Sequence, residues 1–222
     1  MSNLKQSNPE FIREEASTSL GDARRTARLG QALEAIAVSP DAALPEIFAD
    51  RSALQGAYRL FRSEAVDWRD IEFGHTEKTL KRCAELPQVL LIHDTTDFSF
   101  KLHDPDWLRD GLVRLSSQRQ GFSWHACLAA SNGEEAVPLG LVASQPFVHR
   151  KHLQDPQTEA YWRERGGVFE NEKKRWFDLV ANARACFEKL PCVPLHVRDR
   201  EADSFSLLNY LLDSDDRFVV RV

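Results

Sequence analysis

Two aspartates, Asp94 and Asp199, each follow an apolar segment that is typical of a buried strand. Residues 89–92 form a continuous apolar run, and Leu195 and Val197 alternate with other side chains before Asp199. In open α/β sheets, ligand sites collect just outside the carboxyl ends of the strands. Each aspartate taken alone is also explained as a turn residue, because Asp is a favoured turn former.

The chemistry of these two residues depends on whether their strands pair side by side. Neighbouring carboxylates repel each other unless a divalent cation or a shared proton relieves the repulsion. Hard oxygen ligands without a His or Cys motif favour Mg²⁺ or Mn²⁺ over zinc. The pattern therefore predicts a carboxylate pair that holds a cation or a proton, with Mg²⁺ or Mn²⁺ as the favoured cation.

Composition bounds the class of protein. The chain has 222 residues, 42% hydrophobic content and a net charge of −5, which allows one sizeable core or a core with a small satellite domain. It contains no apolar stretch near the roughly 20 residues of a membrane helix, and no apolar signal segment, so we expect a cytoplasmic protein without a membrane partner. The four cysteines lack metal or redox spacing and are expected to be packed thiols.

The chain up to residue 86 is predicted to be helical after a loosely ordered segment at 1–20. Asp22 and Asp67 stand at N-cap positions of two of these helices. The apolar stripes predicted for the first two long helices are Leu29, Leu33 and Ile36 in one, and Leu54, Tyr58 and Phe61 in the other.

From residue 87 onward the pattern changes to strands. A strand at 87–93 precedes a polar excursion, a hairpin turning at Asn132 and Gly133, a polar linker and a helix. The strand ending at Asp199, a helix at about 203–213 and a last strand follow. The order resembles that of the ribonuclease H-like fold, in which the first and fourth strands are adjacent, so the analogy would place Asp94 beside Asp199.

Five stretches carry a specific family resemblance: "LGDARRTARL", "QGAYRLFRS", "LLIHDTT", "RDREAD" and "RFVVRV". On these motifs the chain resembles the DDE transposases of the insertion-sequence-four group, Tn-five type. The resemblance implies a helical domain at 21–86 that binds transposon-end DNA, and a ribonuclease H-like catalytic domain at 87–222. It implies that Asp94 and Asp199 are the first two catalytic aspartates. They would hold two Mg²⁺ or Mn²⁺ ions that cleave and join phosphodiesters in cut-and-paste transposition.

The resemblance also implies which residues bind double-stranded DNA. Arg24 and Arg28 are spaced i, i+4 on one helix face, and Arg59 and Arg62 are spaced i, i+3 on a later helix. Together with Arg25 these side chains are expected to contact phosphates or guanine edges. The alternative is a solvated helix face with local ion pairs, for example from Asp22.

Other polar residues near the two aspartates receive structural roles. Asp203 is predicted to cap the following helix, and Glu201 to pair with a basic residue such as Arg200. His93 should point to the side of its strand opposite Asp94, as a packed or hydrogen-bonded histidine. Trp124 and His125 are assigned to the packing of the second strand.

The third acidic residue that the family requires is absent from the sequence. The family pattern is Tyr, two residues, Arg, three residues, Glu, six residues, Lys, and no tyrosine of this chain has Arg three positions on. The chain is therefore expected to be truncated before this acid, and alone to cleave DNA poorly. Three readings stay open: a transposase completed by a longer reading frame or second chain, with dimerisation possible; a non-catalytic protein that only binds transposon ends; or an inactive relic. In each active case it would be associated with the bacterial nucleoid.

Overall fold

The computed structural model describes residues 18–48, 50–102, 108–109, 111–169, 174–200 and 204–221. The chain divides into two units, Met1–Lys78 and Thr79–Val222. We call them the helical unit and the sheet unit. The predicted loose segment at 1–20 lies outside the described residues up to position 17, and Leu20 packs against Leu29 and Leu60.

Helix starts in the helical unit follow capping chemistry. The helices are α1 (Ala23–Val38), α2 (Leu44–Ile47), α3 (Arg51–Phe61) and α4 (Trp68–Ala84), the last of which continues into the sheet unit. Asp22 accepts hydrogen bonds from the backbone N–H groups of Arg24 and Arg25 at 2.7 and 3.2 Å. Asp67 accepts one from the N–H of Arg69 at 2.9 Å. Both aspartates predicted as N-caps therefore accept hydrogen bonds from backbone N–H groups of the first helical turn, which have no partner within the helix.

The buried face of α3 differs from the predicted stripe. Tyr58 and Phe61 are 37% and 44% exposed, whereas Gly56, Ala57 and Leu60 are buried. The prediction followed the largest apolar side chains. The helix instead buries its small residues, because these allow α1 and α3 to approach closely.

The sheet unit contains a mixed sheet. Its strands are β1 (Gln88–Lys101), β2 (Val113–Ser116), β3 (Arg119–Ser131), β4 (Pro138–His149), β5 (Val168–Phe169), β6 (Val193–Arg198) and β7 (Arg217–Val220). They are arranged in the order β5-β4-β3-β1-β6-β7, and β2 pairs with β3. The first strand is antiparallel to β3 and parallel to β6. The expected adjacency of the first strand and the strand before Asp199 is confirmed.

The length of β1 corrects one expectation. The strand was predicted to end at residue 93, but it continues to Lys101, so Asp94 lies inside it. Residues 94–101 keep strand geometry because all of them pair with β3, up to Lys101 opposite Arg119. Only the pairing with β6 stops early, at Ile92 opposite Val197. Near Asp94, strand pairing therefore ends only on the side of β1 that faces β6, and it continues on the side that faces β3.

Helices of the sheet unit pack on the sheet. The helices are α5 (Pro156–Glu164), α6 (Lys174–Phe187) and α7 (Phe205–Asp213). In the main core, Leu179 and Ala183 of α6 pack against Val89, Leu91 and Cys127 of the sheet. A second cluster joins Trp176 and Val180 of α6 to Leu207 and Leu211 of α7.

Three local expectations change in the sheet unit. The region read as a polar linker contains α5, whose N-cap Asp155 accepts a hydrogen bond from Thr158 N at 2.8 Å. The polar excursion contains β2. The N-cap of α7 is Ser204, not Asp203, and Asp203 and Glu201 lie outside the described residues.

The cysteines and helix lengths complete the description. Cys83, Cys127, Cys186 and Cys192 are free thiols, and three of them are fully buried, as the absence of pairing motifs predicts. Among the helices of the described residues, none combines the length and apolarity needed to span a membrane.

Candidate functional site

The five arginines of the predicted DNA interface all lie on α1 and α3. Arg24, Arg25 and Arg28 occupy the first half of α1, Arg59 lies in the last turn of α3, and Arg62 is the C-cap of α3. Arg25 is half-buried and the other four are exposed. The Arg62 guanidinium stands 5.9 Å from the centroid of the Tyr58 ring.

The two helices that carry these arginines contain few acidic residues. Between its ends α3 contains no acidic residue, and α1 contains only Glu34. Within the described part of the chain, none of the five arginine side chains takes part in an ion pair. Asp22 is engaged by backbone amides, and their hydrogen bonds lower the pKa of its carboxyl. The charges of Arg25 and Arg24 act on the pKa of the Asp22 carboxyl in the same direction. The exposed arginines, which form no ion pair in the described part of the chain, leave a surface that suits an anionic partner.

The two candidate catalytic aspartates lie near the end of the pairing between two neighbouring strands, Asp94 inside β1 and Asp199 directly after the last residue of β6. The parallel register of β1 and β6 ends at Ile92 and Val197, and Asp94 and Asp199 each come two residues later. Because side chains alternate along a strand, Asp94 belongs to the same face of the sheet as Ile92. Asp94 is exposed and Asp199 is half-buried.

The donor set at this position fits a divalent cation only in part. Two carboxylates at one sheet edge supply the oxygen ligands that Mg²⁺ prefers, with water completing the coordination. Among the described residues no group of three His, Cys, Asp or Glu side chains could hold a metal. One oxygen of Asp94 accepts a hydrogen bond from the Thr95 N–H at 2.9 Å. Two carboxylates alone supply fewer protein ligands than the six or more oxygens that such cations take.

A cluster of buried histidines lies on the opposite face of β1, and sequence reasoning missed its extent. His93 Nε2 is 2.8 Å from His196 Nδ1 and 3.6 Å from Cys127 Sγ. His125 Nδ1 is 2.6 Å from Thr95 Oγ1. His93 is buried and hydrogen-bonded, as predicted. The three histidines of the cluster come from three strands, and only their positions on the inward face of each strand could have indicated the cluster.

Burial keeps these histidines neutral. It lowers the pKa of His196 to about 3, with the charges of Arg198 and Arg184 acting in the same direction. It also lowers the pKa of His125 to about 3, helped by the charges of Arg175 and Arg198. Burial, followed by the charge of Arg198, lowers the pKa of His93 well below its ordinary value.

Arg198 brings a buried positive charge into the same cluster, and the charge of Asp216 acts on it in the favourable direction. It is 3% exposed, and all three of its guanidinium nitrogens are buried without a hydrogen-bond partner. Its guanidinium lies 5.8 Å from the Trp176 ring, and burial lowers its pKa to about 10. This arginine directly precedes Asp199, so the sequence places a buried cation beneath the edge that carries the carboxylate pair.

A comparison with protein families identifies the N-terminal part of the chain. Residues 10–66 match the family model described as a transposase DNA-binding domain. The match includes α1, α2 and α3, and with them the five arginines of the predicted DNA interface. It supports DNA as the partner of this surface. The helical region of this chain is thus similar to the DNA-binding domain of transposases.

Proposed function

We propose that this chain is a DDE-type transposase protein whose helical unit binds double-stranded transposon ends. The observation that carries the proposal is the coincidence of the matched segment at 10–66 with an arginine surface that has no ion pairs in the described part. Counterion release from DNA makes such a surface a strong, salt-dependent phosphate binder. The chain would act on DNA in the bacterial cytoplasm.

For the sheet unit we propose a ribonuclease H-like catalytic role of the Tn-five type. The strand order supports it, as does the parallel pairing of β1 with β6, which ends two residues before Asp94 and Asp199. When bound, Mg²⁺ or Mn²⁺ would supply Lewis-acid activation of phosphodiester chemistry. Asp94 and Asp199 would hold the metal and orient it at the sheet edge. Catalysis of this type would also require a third acid, and this sequence does not contain the family's pattern for it.

A non-catalytic role as a transposon-end binder is the second candidate function. The observation that favours it is the lack of a three-ligand metal group among the described residues. In this role Asp94 and Asp199 do not contribute to DNA affinity. Both candidates share the arginine surface, so one binding experiment addresses the common part and a metal experiment separates them.

The binding experiment uses the full chain and a library of random-sequence DNA duplexes. Repeated selection should enrich one sequence, and anisotropy titration of that duplex should be strongly salt-dependent. We expect Arg24→Ala and Arg59→Ala each to weaken binding by about tenfold and to reduce the salt slope by about 1. Arg217→Ala, an exposed arginine of β7, is the matched control. A library from which no sequence is enriched would contradict the proposal.

The metal experiment measures Mn²⁺ binding by water-proton relaxation, without DNA. Asp94→Asn and Asp199→Asn should each weaken Mn²⁺ binding, whereas Asp213→Asn at the end of α7 should not. The same two variants should bind the selected duplex like the wild type. Unchanged Mn²⁺ affinity in both variants would favour the end binder over the metal-dependent enzyme.

A further inference from the structure

The two faces of the sheet at β1, β6 and β7 differ in burial. Val89 and Leu91 of β1 point to the face covered by α6 and are fully buried. Side chains alternate along a strand, and residues paired in register point to the same face. The opposite face, which we call the open face, is only partly buried along β1 and β6 and is exposed at β7. Its aliphatic side chains are Leu90, Ile92, Leu195, Val197 and Val219.

The open face is a continuous apolar patch across three strands. Leu90 lies beside Leu195 in the parallel pairing of β1 with β6. Val197 lies between Ile92 on β1 and Val219 on β7, and Val219 is 53% exposed. Among the described residues, none of these five side chains takes part in a buried hydrophobic cluster. Contiguous exposed apolar surface of this kind marks a place where another protein surface packs.

Two opposite charges flank this patch at diagonal positions. Arg217 lies beside Leu195, at the start of β7, and Asp94 follows Ile92 by two residues on β1. Both side chains are exposed, and neither forms an ion pair within the described part of the chain. Val197 is midway between them, one strand and two residues away from each.

This arrangement makes the open face complementary to itself. A two-fold axis in the plane of the face, passing Val197 at right angles to the line from Asp94 to Arg217, exchanges these two positions. Sheets stacked face to face lie about 10 Å apart, a distance that a long arginine side chain and an aspartate span together. A second copy of the chain therefore fits the open face both in its apolar centre and in its two charges.

We propose that the open face is the interface of a homodimer, in which two sheets stack about a two-fold axis at Val197 and Asp94 pairs with the partner's Arg217. Dimerisation removes the aliphatic side chains of both copies from water, and symmetry makes each ion pair occur twice. The inference concerns the sheet unit and does not depend on DNA binding by the helical unit.

The test is sedimentation equilibrium of the full chain over a range of concentrations, without DNA or metal ions. The wild type should show a concentration-dependent equilibrium between monomer and dimer. Val219→Lys should weaken dimerisation by about tenfold or more, because it places a charge in the apolar centre of the interface in both copies. Leu212→Lys is the matched control, at a position 64% exposed on α7, and should leave the dimer unchanged.

Charge reversal tests the predicted ion pair. Asp94→Lys and Arg217→Glu should each weaken dimerisation by about tenfold, since like charges then meet at two symmetric places. The double variant should recover the wild-type association, because opposite charges face each other again. Circular dichroism melting establishes that each variant folds. Should Val219→Lys fail to fold, the charge reversals decide, and a double variant as weak as the single variants overturns the proposal.

Three results would show that the open face is not this interface. A wild-type chain that stays monomeric at every concentration overturns the proposal and leaves the face to another occupant. A dimer that persists in both Val219→Lys and Asp94→Lys must use a different surface. A dimer weakened by Val219→Lys but not by Asp94→Lys indicates pairing along the outer edge of β7, the last strand of the sheet. The DNA selection experiment is independent of all three.

Discussion

Acid should destabilise the sheet unit between pH 6.5 and pH 4.5 through its buried histidines. His125 and His196 have pKa values of about 3 in the folded chain, against 6.5 for an ordinary histidine. A histidine whose pKa is lower in the folded chain than in the unfolded chain is uncharged in both states above pH 6.5. Below pH 6.5 this histidine binds a proton in the unfolded chain but not in the folded chain, so the free energy of unfolding falls as the pH falls.

The size of the effect follows from proton counting. Each of these histidines lowers the free energy of unfolding by about 1.4 kcal/mol per pH unit below pH 6.5. Over two pH units, this amounts to roughly 2–3 kcal/mol for each of His125 and His196, because the full slope is reached only well below pH 6.5. His93 acts with the same sign. The sum is comparable to the whole stability of a typical domain, about 5–15 kcal/mol. Asp216, whose pKa is raised by burial, opposes the trend in part.

The assay is urea unfolding of the full chain at pH 7, 6, 5 and 4.5, followed by tryptophan fluorescence. Trp176 is a local reporter because its ring meets the His125 ring edge-on at a centroid distance of 4.3 Å. His125→Gln should reduce the pH slope of the unfolding free energy by about 1.4 kcal/mol per pH unit. His152→Gln, at a half-exposed position, is the control and should leave the slope unchanged.

The reasoning is refuted by either of two results. One is a wild-type unfolding free energy that stays constant from pH 7 to pH 4.5. The other is a His125→Gln variant whose slope equals that of the wild type. The window lies above the range in which Asp155 contributes, because hydrogen bonds from Thr158 lower the pKa of that carboxyl below 3.8. Stability linked to Asp155 is present above pH 3.8 and is lost only at lower pH.

Three further variants test the packing and capping described above. Leu91→Ala should cost about 2–5 kcal/mol in urea unfolding because Leu91 is fully buried, whereas Leu212→Ala, at a position 64% exposed, should cost under about 1 kcal/mol. Asp22→Ala should lower the stability of the helical unit through loss of its amide acceptor, and Asp41→Ala, at an exposed turn, should have little effect by circular dichroism melting. Gly121→Ala should yield poorly folded protein on gel filtration, since its Cβ would overlap a backbone carbonyl of β1.

Local signals predicted the helices of the N-terminal part well. Asp22 and Asp67 cap helices as expected, because capping depends on residues within one turn. The buried face of α3 was mispredicted, since Gly56 and Ala57 contribute little to an apolar pattern although they allow close helix contact. Periodicity reports side-chain size and not the distance between two helices.

Tertiary contacts account for what the sequence could not predict in the sheet unit. β1 continues past Asp94 only because β3 pairs with it to Lys101, which no local pattern in residues 94–101 required. The histidine cluster depends on three strands that are distant in the chain. By contrast, the adjacency of β1 and β6 followed from strand order alone, and the parallel pairing of the two strands confirms it.

The early end of the β1–β6 pairing leaves an open edge on the far half of β1. On the side of β1 that faces β6, no strand of the described residues pairs with β1 beyond Ile92. Unpaired strand edges attract other strands and promote aggregation. Charged side chains such as Asp94 and Asp97 discourage such association, and Asp94 also occupies the Thr95 amide at this edge. Asp94→Ala would remove both the charge and the amide acceptor, whereas Asp94→Asn retains an acceptor oxygen. Asp94, the candidate metal ligand, thus also protects the strand edge from association. We expect Asp94→Ala to be less soluble than Asp94→Asn, which can be measured before any assay of DNA cleavage.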